Sequence, residues 1–199
     1  VENGTMSASA LRYLSDAVRA RRNILISGGT GSGKTTLLNA LSSYVGEKER
    51  IVTIEDAAEL QLQMRHVVRL ETRPASIDGA REVTARDLLR NALRMRPDRI
   101  ILGEVRSHEA IEVLQAMGTG HDGSMATIHA NGTSDALERL EMLMGLYGFS
   151  SDLNSVRRFV VSAVDIVVQT MRAADGRRSV AGIVEIAGIE GGHYMQREV

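Results

Sequence analysis

Gly28-Gly29-Thr30-Gly31-Ser32-Gly33-Lys34-Thr35-Thr36 is the stretch on which the reading of this chain turns. It fits the pattern G-x-x-x-x-G-K-[ST] and stands between an apolar run of strand character, Asn23 to Ser27, and a run of helical spacing, Lys34 to Ser43. Those flanks separate a phosphate-binding loop from a glycine-rich turn that matches by accident. Glycines at 28, 29, 31 and 33 let the backbone curl with its N–H groups inward, and the following helix adds the positive end of its dipole. Such a loop holds polyphosphate. The expected contacts are Gly29, Thr30, Gly31, Ser32, Gly33, Lys34, Thr35 and Thr36, with Lys34 reaching the β- and γ-phosphates and the Thr35 hydroxyl completing the shell of a bridging Mg²⁺. Of 24 basic residues only Lys34 and Lys48 are lysines, and one of them falls where the motif demands it.

Working outward, Ser9 to Arg21 carries Leu11, Leu14 and Val18 at helical spacing, with Ser7 or Ser9 as N-cap. Downstream, Leu37, Leu38 and Leu41 make the core-facing stripe of the loop helix, and Gly46 to Glu49 breaks it. Two further strands are predicted, Arg50 to Glu55 and His66 to Glu71, then an irregular loop from Thr72 to Glu82 containing Arg73, Pro74, Gly79 and Arg81. Thr84 and Asp87 form a capping pair for a helix to about Arg94, closed by Pro97. A strand at Arg99 to Glu104, a helix at Ser107 to Met117, a strand at Met125 to His129 and helices at Asp135 to Tyr147 and Asn154 to Ala163 follow. Asp165 to Arg172 and Ser179 to Ile189 flank the turn at Asp175-Gly176 and read as a closing β-hairpin. Strands alternating with helices predict an α/β fold with a mostly parallel sheet flanked by helices.

Three strands end on groups that chemistry can use, and strand carboxyl ends are where open α/β sheets bind ligands. Arg-Ile-Val-Thr-Ile-Glu delivers Glu55, followed by Asp56. Arg-Ile-Ile-Leu-Gly-Glu delivers Glu104, with Gly103 where phosphate-loop enzymes often carry a magnesium-coordinating aspartate. Glu104 is therefore expected to polarise the attacking water, and the metal-shell duty to pass to Glu55 or Asp56 through water. His129 ends a third strand, where it would sense the γ-phosphate.

The whole-chain numbers restrict the alternatives. At 199 residues the chain suits one domain, 1–199, and its net charge of -1 with 3% aromatics gives neither a basic face nor stacking platforms, so no nucleic-acid partner is expected. No apolar run reaches the length of a membrane span, so no direct membrane insertion is expected, and the absence of cysteine excludes disulfides and cysteine-ligated zinc. The chain starts at Val1 in what reads as mid-segment, and a piece of a longer protein is expected.

Taken in order, GGTGSGKTT (28–36), TIEDAAELQL (53–62), RIILGEVR (99–106) and GHDGSMATIHANG (120–132) resemble the Walker A, Asp box, Walker B and His box of the secretion-superfamily ATPases of type II and type IV secretion and type IV pili. The segments HVVRLETRP and NALRMRPDRI look most like the branch that assembles tight-adherence (Flp-type) pili. The resemblance implies a RecA-like P-loop fold and a homohexameric ring. The ring would hydrolyse ATP with Mg²⁺ at the cytoplasmic face of the inner membrane, docked on the platform proteins of a pilus or secretion system. It implies Glu104 as catalytic glutamate, Glu55 positioning water and metal, His129 near the γ-phosphate, and Arg73 and Arg81 offering charge to a nucleotide, sometimes across a subunit boundary. It also implies that the family's amino-terminal domain is missing here. Ser107 replaces the family's usual glycine and is expected to serve as a helix cap. The rival readings are a nucleotide-dependent structural switch with little turnover, a conjugative-type secretion ATPase and a small P-loop kinase.

Overall fold

The structure is a computed structural model that describes residues 4–75, 81–149 and 152–199. Val1 and Gly79, both named in the sequence reading, lie outside these residues. One eight-stranded sheet organises the chain: β1 (Ile24–Gly28), β2 (Ile51–Glu55), β3 (Val67–Glu71), β4 (Arg99–Val105), β5 (Met125–Ile128), β6 (Ile166–Arg172), β7 (Arg178–Glu190) and β8 (His193–Glu198). Their order is β3-β2-β4-β5-β1-β6-β7-β8, parallel from β3 through β6 and antiparallel from β6 to β8. The mostly parallel sheet expected from the sequence is present.

Every residue of β1, β2 and β5 is buried, as in parallel strands covered on both faces. On one face α1 (Ala8–Arg19) and α2 (Lys34–Ser42) pack Leu14, Val18, Leu37, Leu38 and Leu41 against Ile24, Ile26, Ile101 and Met125. The other face is covered by α3 (Ala85–Ala92), α4 (Glu109–Gly118), α5 (Thr133–Leu146) and α6 (Leu153–Ala163). There Leu89, Leu114, Leu140 and Val160 meet Leu25, Ile54, Leu102 and Ile128. Each such leucine contributes about 1.5–3 kcal/mol through burial, so the two layers hold the sheet in one register.

Local chemistry fixes the helix starts. The Ser7 hydroxyl accepts from Ala10 N–H, and Thr84 and Asp87 form the reciprocal capping box that their spacing predicts. Ser107 does not cap through its hydroxyl. The helix opens at Glu109 instead, whose buried carboxylate accepts from the N–H groups of Arg106 and Ser107 and from the Ser107 hydroxyl. An added strand, β8, extends the predicted hairpin: Gly191 and Gly192, at φ +57° and +79°, make a turn that returns the chain along β7.

Arg99, 1% exposed, anchors the lower edge of the fold. Its guanidinium grips both oxygens of Glu49 at 2.8 and 2.9 Å and donates to the carbonyls of Val18 and Gly123. Burial alone would raise the Glu49 pKa, but the Arg99 hydrogen bonds, the Gly46 N–H and the Arg99 and Arg21 charges together outweigh it and hold the carboxyl below its ordinary value. Gly123, at φ +85°, is required here, since a Cβ would lie 2.4 Å from the arginine.

Candidate active site

The phosphate loop joins β1 to α2 and is bent by Gly31 and Gly33 at φ +70° and +98°. It is also braced from 140 residues away in sequence. The Thr170 hydroxyl, on β6, donates to the Ser27 carbonyl at 2.9 Å and lies 2.8 Å from the Ser32 hydroxyl, while Arg178 Nε, on β7, donates to the Gly31 carbonyl at 2.9 Å. Gly28 must be glycine, because a Cβ there would stand 2.2 Å from the Thr170 hydroxyl and 2.4 Å from that of Ser32. Ser32 is thus spent on holding the loop closed.

In front of the loop a cleft of about 350 Å³ is lined by Thr30, Gly31, Lys34 and Thr35 from the loop and by Glu55, Asp56, Glu104, Arg106 and His129 from the strand ends. Lys34 donates to the carbonyls of Gly28 and Gly29 at 2.9 and 3.1 Å, and its Nζ lies 3.4 Å from His129 Nε2. Desolvation lowers the Lys34 pKa, which the Glu104 carboxylate partly opposes. His129 Nε2 is also 3.2 Å from Glu104 Oε1. With its proton on Nε2 the ring donates to Glu104; with the proton on Nδ1 it accepts from Lys34. Desolvation, helped by the nearby Lys34, Arg106 and Arg139 charges, lowers the His129 pKa against the opposing pull of Glu104.

The two acidic strand ends differ in kind. Glu55 is 5% exposed, and its Oε1 accepts from the N–H groups of Glu59 and Leu60 at 3.0 and 2.9 Å, which fixes the segment after β2. Asp56 is exposed and accepts from the Thr72 hydroxyl at 3.0 Å and from Arg106 at 2.7 Å. Gly103 explains the missing aspartate of β4: a Cβ there would lie 3.3 Å from Glu55 Cγ and 3.4 Å from the Ile54 carbonyl. The Glu55 side chain therefore fills the space that a side chain at 103 would occupy.

Arg106 is a cleft residue to which the sequence alone assigns no role. Its Nη2 donates to Glu104 Oε2 at 2.7 Å while its Nη1 holds Asp56, and the Glu104 hydrogen bond raises its pKa above the ordinary arginine value. The signal was present in Gly-Glu-Val-Arg, where an arginine two residues after a strand-end glutamate returns to the same side of the sheet. Thr127 is a second, donating to the Gly103 carbonyl at 2.5 Å and lining the cleft.

Not every expected residue meets in this cleft. Gly33, Ser32 and Thr36 line a separate recess of about 500 Å³ with Met6, Tyr44 and Arg178. Arg73 lines a neighbouring recess beyond Asp56, with its Nη2 donating to the Arg81 carbonyl at 3.0 Å, so neither arginine stands in the phosphate cleft of its own chain. Among the described residues no group of histidines and carboxylates forms a ready-made metal cage.

Comparison with known proteins bears directly on this arrangement. The family model described as type II/IV secretion system protein matches residues 2–184. The chain belongs to that family. It is 45% identical over 177 residues to the type IV secretion system protein PtlH of Bordetella pertussis, covering 86% of this chain and 52% of that one. To the conjugal transfer protein TrbB of Rhizobium radiobacter it is 41% identical over 191 residues, covering 94% and 54%. The crystal structure of the VirB11 ATPase from the Brucella suis type IV secretion system, in complex with sulphate, superposes with a TM-score of 0.80 at 36% identity, covering 89% of this chain and 52% of that one. The chain thus spans about half the length of the curated relatives it matches, and its fold is the RecA-like one that the family resemblance implied.

Proposed function

We propose that residues 1–199 are the RecA-like ATPase domain of a homo-oligomeric motor that hydrolyses ATP to drive pilus assembly or macromolecular secretion across the bacterial envelope. The observation that carries this reading is the junction of Lys34, His129, Glu104 and Arg106 in one connected line beneath the phosphate loop. A switch that only bound nucleotide would have no use for a carboxylate placed between a histidine and an arginine at the end of the cleft.

The residues fit a nucleoside triphosphate. The loop offers N–H groups, and a nine-tenths buried Lys34 now satisfied by loop carbonyls supplies the charge that a triphosphate would draw forward. The recess beside Thr36, Tyr44 and Arg178 is of a size for the base and sugar. Thr35 and Glu55, with Asp56 through water, would hold Mg²⁺, and the space that Glu55 fills at Gly103 supports that assignment. When bound, Mg²⁺ supplies charge neutralisation to the β- and γ-phosphate oxygens.

Glu104 takes the proton of the attacking water as its oxygen bonds the γ-phosphorus, and the β–γ bridging oxygen leaves with ADP. Before that, Glu104 must exchange its bond to Arg106 for one to water, so Arg106 sets the resting position of the base. Arg73 and Arg81, outside their own cleft, suit donation to a neighbouring copy. The motor would work at the cytoplasmic side of the inner membrane on platform proteins, without direct membrane insertion. Among the described residues no helix is long and apolar enough to cross a membrane. The segments around Arg69 and Met95 favour the tight-adherence pilus branch over the conjugative one that the TrbB name suggests.

The test is ATP hydrolysis per chain against protein concentration. A rate that climbs steeply with concentration supports sites completed between copies. Nucleotide binding with a flat, background rate at all concentrations favours the structural switch for this length of chain.

A further inference from the structure

A further pocket, of about 300 Å³, shares His129 with the catalytic cleft. Its walls are Gly29, His129, Ala130, Asn131, Asp135 and Arg139. His129 lines both spaces, and Gly29, which lines the side pocket, accepts through its carbonyl from the Lys34 that lines the cleft.

Arg139 projects from the second turn of α5 with its Nε buried and without a hydrogen-bond partner. Asp135 is four residues earlier on the same helix, the spacing that favours an ion pair, yet no ion pair joins the two among the described residues. Asp135 is exposed and sits in the first turn of α5, where its charge faces the helix dipole. A half-buried guanidinium without an anion carries an uncompensated desolvation penalty, and a site that keeps one is suited to receiving an anion. The amino end of α5 adds to this, since its N-cap, Gly132, offers no side-chain acceptor to the first-turn N–H groups.

We propose that this side pocket is a transit site for inorganic phosphate, reached from the catalytic cleft past Gly29 and His129 and held there by the Arg139 guanidinium and the Asn131 amide. The proposal rests on the ATPase reading above, because phosphate is the product formed next to Gly29. After the γ-phosphate is cleaved, a turn of the His129 ring away from Lys34 and Glu104 would join the two spaces. Phosphate then leaves by a path that does not require ADP to leave first.

The probe is inorganic phosphate added to the chain saturated with Mg²⁺ and the non-hydrolysable analogue AMP-PNP, so that the phosphate loop is already full. Binding is read by calorimetry or by ³¹P line broadening. Wild-type chain is expected to bind phosphate under these conditions, and Arg139→Gln to weaken it by roughly tenfold or more with AMP-PNP affinity unchanged. Asn131→Ala, at an exposed position, should weaken it in the same direction and serves if Arg139→Gln does not fold. Phosphate binding that is absent, or indifferent to both substitutions, in a chain that does bind AMP-PNP overturns the transit site alone. A wild-type chain that binds no AMP-PNP overturns the nucleotide reading and the transit site together.

Discussion

Replacing Gly103 by alanine tests whether Glu55 holds the place of the missing aspartate. The new Cβ would stand 3.3 Å from Glu55 Cγ and 3.4 Å from the Ile54 carbonyl, against an ordinary carbon–carbon contact of about 3.5–4.0 Å. A free side chain would swing aside by a few tenths of an ångström at little expense. Glu55 cannot, because its Oε1 is tied to the N–H groups of Glu59 and Leu60 and the residue is 5% exposed. The displacement therefore passes into the segment after β2, at an overpacking penalty of about 1–2 kcal/mol. Two readouts follow: urea unfolding of the chain, and the gain in ADP affinity on adding Mg²⁺, which should shrink several-fold as Glu55 leaves its position. A double-mutant cycle isolates the contact. In a Glu55→Ala background, where Cγ is gone and only the looser approach to the Ile54 carbonyl remains, most of the Gly103→Ala penalty should vanish, giving a coupling of about 1 kcal/mol, well outside the few tenths by which independent sites deviate. Equal penalties in the two backgrounds would refute the argument and return the metal-shell role to Asp56 alone.

Glu104→Gln should retain ATP binding and lose turnover by roughly a hundred- to ten-thousand-fold, checked by fluorescent-nucleotide titration beside phosphate release; Lys34→Ala should lose binding itself. The lowered pKa of His129 has a definite sign: the unfolded chain takes up the proton near pH ~6.5 and the folded chain only at lower pH, so stability falls as pH drops through that window and levels below the folded value. Thermal unfolding of wild type and His129→Gln between pH 5 and pH 7, on the order of the interval, should show that slope in the first and a shallower one in the second. Arg99→Met leaves Glu49 with the Gly46 N–H and the partly exposed Arg21 and should destabilise the chain by about 3 kcal/mol in urea titration.

What was legible in the sequence was local. The phosphate loop, the acidic ends of β2 and β4 and the histidine after β5 each sit in a contiguous motif, and the rule that strand carboxyl ends share a crevice is enough to bring Glu55, Glu104 and His129 together. The same locality made the boundaries of most helices accurate to one or two residues. Contacts between distant parts of the chain were not legible. Thr170 and Arg178 brace the loop from strands whose β-branched pattern announces only packing, and Arg139 reads as one more polar residue on the exposed face of an amphipathic helix. β8 was missed because His-Tyr-Met-Gln-Arg-Glu has too few apolar residues to alternate, and it is the pairing with β7 that makes it a strand. Arg73 and Arg81 entered through the family resemblance, and a single chain gives them no phosphate to meet.

The bracing of the phosphate loop by Thr170 and Arg178 has a mechanical side. β7 runs for 13 residues, or about 43 Å at strand rise, from the phosphate loop to the turn into β8 at the edge of the sheet. Arg178 at its start is bonded to Gly31, and its partner β6 carries Thr170, so this strand pair is tied to the loop at two points. The arm therefore connects the far edge of the sheet to the loop by two routes, the Arg178 and Thr170 hydrogen bonds and the pairing of β6 with β1. The loop is the short end of a long rod.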